Sequence, residues 1–117
     1  MKKLKVTEIH SEHIVFNNGY ILKSYHGSDC CEHHFLSFED LELDDFKNLE
    51  FDLSNDMFFK RIKGYGIELI PTNGWSVKVA GYGSNNGYYS SDLELVLTDG
   101  NNTIRKYDIT ECQDYED

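Results

Sequence analysis

The chain has 117 residues and a net charge of −10, from 11 Lys and Arg against 21 Asp and Glu. That charge argues against sequence-independent binding to DNA, RNA or an anionic membrane, whose surfaces are rich in phosphate. Hydrophobic residues at 39% and aromatics at 14% exclude a disordered chain, and the length suits a single domain over residues 1–117.

In chain order, residues 4–9 and 13–16 read as strands with a break at Ser11-Glu12. Ile14-Val15-Phe16, the turn Asn17-Asn18-Gly19 and the β-prone run 20–25 make a hairpin signal. The chain then turns at 26–29, and 34–38 forms another strand. Leu43, Phe46 and Leu49 are spaced three apart in an acidic stretch without Gly or Pro, which predicts a short helix within 39–50. Residues 58–62 and 67–69 read as strand, interrupted at Gly64-Tyr65-Gly66, and Pro71-Thr72-Asn73-Gly74 is a turn. Trp75, Val77 and Val79 alternate with Ser76 and Lys78, the period of a half-buried strand. A loop is expected from Gly81 to Gly87. Leu93, Leu95 and Leu97 alternate again, and Asp99-Gly100-Asn101-Asn102 turns the chain into a last strand, 103–110. The acidic tail, 111–117, is expected to fray. The two Gly-Tyr-Gly tripeptides have different flanks and do not make a repeat. The fold expected is mainly β (α+β): an antiparallel curled sheet or small barrel-like sandwich with one short helix.

Three cysteines, two of them adjacent, make a poor disulfide framework. The N-terminal residues have no apolar run able to serve as a signal core, and no segment approaches membrane-spanning length. A reducing cytoplasm is the compartment expected, which leaves the sequon at Asn101 without consequence.

The densest chemistry lies in residues 26–34, where His26, Asp29, Cys30, Cys31, Glu32, His33 and His34 crowd together. Thiolate and imidazole suit zinc, but adjacent ligands in extended backbone point to opposite faces. A site using His26 with one Cys and one His would need a distant fourth ligand such as Cys112. No cofactor is therefore assigned. A Cys–His nucleophile is opposed by Asp29 and Glu32, which flank the thiols and disfavour thiolate. The plainer reading buries one Cys in the core. In the second cluster, the glycine-rich run from Gly81 lacks the Walker, Rossmann and Gly-x-Ser-x-Gly patterns. Tyr82, Tyr88 and Tyr89 suit either a recognition surface or packing beside a turn. His10 and His13 lie three apart in a strand-like segment, a spacing that does not converge them, so solvent exposure is expected. The acidic run 39–45 suits a partner with a basic face, or plain solubility.

The stretch His26-Gly27-Ser28-Asp29-Cys30-Cys31-Glu32 resembles the His-x-x-Asp-Cys-Cys-Glu signature of a family of small uncharacterised proteins from bacteria and their phages. Ser84-Asn85-Asn86-Gly87-Tyr88-Tyr89-Ser90 is similar to the second signature of that family, Ser-Asn-Gly-Tyr-Tyr-Ser, with one extra Asn. The resemblance implies a bacterial or prophage origin and brings no activity with it. It also implies that the two clusters approach each other, either with His26, Asp29 and Glu32 beside Asn86, Tyr88 and Tyr89 in a polar site or as a hydrogen-bonded knot with Cys30 or Cys31 packed beneath. Two functions from different classes stand at this point, along with a role as a structural component of an assembly. One is a non-enzymatic binding or regulatory protein acting through protein–protein contact. The other is a small metal- or thiol-dependent enzyme built on residues 26–34.

Overall fold

The structure is a computed structural model, and it describes residues 3–25, 33–54, 56–84 and 93–115. The described residues form ten strands: β1 Val6–Ile9, β2 His13–Phe16, β3 Ile21–Tyr25, β4 His33–Ser37, β5 Phe59–Ile62, β6 Gly66–Leu69, β7 Val77–Ser84, β8 Glu94–Thr98, β9 Thr103–Asp108 and β10 Asp114–Tyr115. They assemble into two sheets that are not closed into a barrel.

The first sheet has the order β1-β2-β3-β8-β9 and is antiparallel throughout. The second is built around β7, the longest strand. Ala80 of β7 lies between Ser37 of β4 and Gly66 of β6, while Tyr82 lies between Phe35 of β4 and Asp114 of β10. Hence β6 and β10 run end to end along one side of β7, and β4 runs along the other. Strand β5 pairs outside β6. The short β10 is parallel to β7.

Alternation explains the layering. Ile14, Phe16, Leu22, Leu95 and Leu97 from the first sheet and Leu36, Ile67, Leu69, Val77 and Val79 from the second are buried in one continuous core. Val96 faces outward between Lys23 and Lys106 in register, yet it is also buried, as expected where long lysine stems flank an apolar side chain. Phe46, Leu49, Phe51, Leu53 and Phe58 complete the core from the irregular segment between β4 and β5. Side chains bridge the two seams between the sheets. The Arg61 Nε–H of β5 donates to the Asp108 carbonyl of β9 at 2.8 Å, and the Leu36 N–H of β4 donates to Ser24 Oγ of β3 at 2.9 Å.

Four local expectations are corrected. The helix expected within 39–50 shrinks to a single 3-10 turn, Leu43–Phe46, with a second at Asp56–Phe58. Only Phe46 and Leu49 of the apolar triplet are buried, and Leu43 faces solvent. Lys47 at φ −58°, ψ 126° and Asn48 at φ 63° form a type II turn closed by the Leu49 N–H on the Phe46 carbonyl, which stops helical propagation. Second, residues 81–84 are strand instead of loop. Gly81 belongs in the sheet because the Cys112 carbonyl occupies the space where its side chain would be. Third, Trp75 lies outside β7. Gly74, at φ +78°, diverts the chain, and the alternation starts only at Val77. Fourth, the start of the acidic tail is packed. Cys112 and Gln113 are buried, and residues 114–115 pair with β7.

Candidate functional site

The eight residues singled out by the two motifs (His26, Asp29, Cys30, Cys31, Glu32, Asn86, Tyr88 and Tyr89) lie outside the described residues. The strands that deliver them are described. Residues 26–32 lead from β3 to β4, and 85–92 lead from β7 to β8. Tyr25 at the end of β3 pairs with Glu94 at the start of β8, and His33 at the start of β4 pairs with Ser84 at the end of β7. These two crossovers between the sheets therefore begin and finish at paired positions. Cys112, the distant thiol, is buried, and burial pushes its pKa up. Among the described residues no group of three or more His, Cys, Asp and Glu side chains is placed to hold a metal ion.

Tyr82 is half-buried on the outer face of β7, its ring centroid 5.7 Å from that of Phe35 on the neighbouring strand. Same-face cross-strand contact accounts for its position. His10 and His13 do converge, contrary to the expectation from their spacing. Ile9 pairs with Ile14, so the two residues between the histidines form the tip of a hairpin, and the imidazoles stack at 4.3 Å. The His10 N–H donates to the His13 carbonyl, and His10 Nε2 lies 3.3 Å from Glu8. Burial first, and His10 second, lower the His13 pKa.

The most unusual exposed side chains surround the 70–75 turn. Its backbone is tied down by neighbours from 48–50. The Thr72 N–H donates to the Glu50 carbonyl at 2.7 Å. The Asn73 amide is used at both ends, accepting from the Glu50 N–H at 2.8 Å and donating to the Asn48 carbonyl at 2.9 Å. From this fixed turn Trp75 projects with 87% of its surface exposed. Met57, 77% exposed, lines a shallow depression with Ile70 and Pro71 at the other end of the turn. The preceding stretch carries exposed Leu43 with exposed Glu39, Asp40, Glu42, Asp44 and Asp45. The Asp45 carboxylate accepts from the Glu42 N–H at 2.8 Å, which fixes the 3-10 turn. Sequence reasoning found the turn and the acidic run but placed Trp75 in a strand. The missed signal is Asn73-Gly74, a pair suited to positive φ directly before the tryptophan.

A second arrangement escaped the sequence reading. Arg105 and Tyr107 alternate on one face of β9 and reach the irregular segment. Arg105 Nη2 donates to the Ser54 carbonyl at 2.6 Å, and Nη1 lies 3.5 Å from the Tyr107 hydroxyl. That hydroxyl donates to Asp56 Oδ1 at 2.9 Å. Burial raises the Tyr107 pKa, which keeps the donor protonated.

Comparison with known proteins finds no matching family model, no matching curated protein and no matching solved structure.

Proposed function

We propose that the protein is a non-enzymatic binding module that engages a basic-faced protein partner through the 70–75 turn and the acidic run 39–45, which precedes the 48–50 segment holding that turn. The observation that supports this reading is Trp75. It is held 87% exposed on a turn fixed by four hydrogen bonds to residues 48–50. An exposed Trp on a rigid support exposes apolar surface to water and needs little ordering on contact, the profile of an interface anchor. Met57 adds adaptable apolar area. Charge sets the partner, because carboxylates at 39, 40, 42, 44 and 45 favour Lys and Arg opposite. Tyr82 is a weaker anchor, since Phe35 already covers part of its ring.

The test is affinity capture from bacterial lysate with three proteins side by side: wild type, Trp75→Ser, and a variant with the five carboxylates changed to their amides. The expected result is a basic protein retained by the wild type. Its retention falls about tenfold or more with Trp75→Ser, and salt weakens it less in the amide variant. Retention unchanged in both variants would overturn the proposal.

A further inference from the structure

We infer that a second surface cleft, separate from the 70–75 turn, is a binding site for a small carboxylate with a ring-sized apolar tail. The cleft opens where the N-terminal segment, the β2–β3 turn, residues 53–54 and β9 meet, and its volume is about 220 Å³. Buried Leu4, Leu53 and Leu97 form its floor, while Tyr20, Ile104 and Arg105 stand at its mouth. A dry cavity of roughly 150 Å³ is enough to hold benzene, so this one accommodates a ring and a short polar head.

Arg105 supplies the head-group chemistry. In a chain of net charge −10, a guanidinium at the mouth of an apolar cleft selects an anion, and its planar fork matches a carboxylate. The group is held in place before any ligand arrives, by the Ser54 carbonyl and the Tyr107 hydroxyl. Asp56 lies 4.0 Å from Nη1 but is largely solvated, so water screens its competition for the charge. Apolar depth with one convergent charged group is the usual pattern of a small-molecule site.

The probe is phenylacetate, titrated into the full chain while the methyl resonances of Leu4, Leu53, Leu97 and Ile104 are followed by NMR. The expected result is a set of saturable shifts confined to those methyls, with phenylacetamide and the Arg105→Met variant each binding about tenfold more weakly. Because Arg105→Met also releases Ser54, the variant Ile104→Trp provides an independent check. It fills the mouth, leaves the arginine in place, and is expected to abolish the shifts. Absence of saturable shifts up to about ten millimolar, equal binding of the amide, or full binding by Ile104→Trp would each overturn the inference.

Discussion

Gly81, like Gly66 on the neighbouring strand, has no room for a side chain. It sits at the centre of β7, and a methyl group there would collide with the Cys112 carbonyl and press on the Leu36 side chain. The collision is with backbone, so no rotamer change relieves it. Gly81→Ala is expected to lower stability by about 3 kcal/mol, read as a drop in the urea midpoint at unchanged slope. The same variant should release Cys112, raising the rate at which that thiol is alkylated under native conditions. His13 carries a second single-residue consequence. Its pKa is lowered from the ordinary 6.5 by burial and by His10. The unfolded chain therefore binds a proton first as the pH falls below 6.5, and the folded state loses stability in that window. His13→Gln is expected to flatten the dependence of the thermal midpoint on pH there. An unchanged slope would remove His13 as its source.

The 70–75 turn and the 48–50 segment act as one element, joined by the Asn73 amide. Asn73→Ala removes two hydrogen bonds and leaves the Glu50 N–H and the Asn48 carbonyl without those partners, a cost of about 1–2 kcal/mol. Trp75 is the chain's single tryptophan, so a drop in its fluorescence anisotropy at otherwise native circular dichroism would report the loosened turn directly. The strands on either side of this element were legible from sequence because apolar alternation records burial. Val77 and Val79, like Leu93, Leu95 and Leu97, sit at inward positions. The irregular stretch between β4 and β5 was not legible in the same way. Leu43, Phe46 and Leu49 have helical spacing, but the turn at Lys47-Asn48 bends the chain so that only two of them reach the core. The histidine pair shows the same limit. A spacing of three has no meaning for convergence until the hairpin tip between them is known. Arg105 and Tyr107 were invisible because their partners, Ser54 and Asp56, lie half the chain away.

At the scale of the molecule, the chain visits the first sheet, leaves for the second, returns, and finishes on the second as β10. Acid should act on this whole in one direction. Asp52, Asp99 and Asp108 are each held below the ordinary carboxylate value: Asp52 by the Ser54 hydroxyl and amide, Asp99 by the Asn102 and Asn101 amides, and Asp108 by the Thr110 hydroxyl and amide. Their contribution is present above the ordinary carboxylate range and fades as the pH falls through the lowered values, so it adds to the loss from His13 instead of offsetting it. The pairing of β3 with β8 has a different consequence, one that concerns synthesis. Ile21 of β3 waits for Thr98 of β8, and the whole second sheet up to β7 lies between them. On a ribosome the β1-β2-β3 meander emerges early, with the far edge of β3 bare. Until β8 follows, residues 21–25 offer unpaired backbone N–H and C=O groups to any strand that passes. The nascent chain is thus most exposed to misassociation in the middle of translation, and a pause placed there would prolong the hazard.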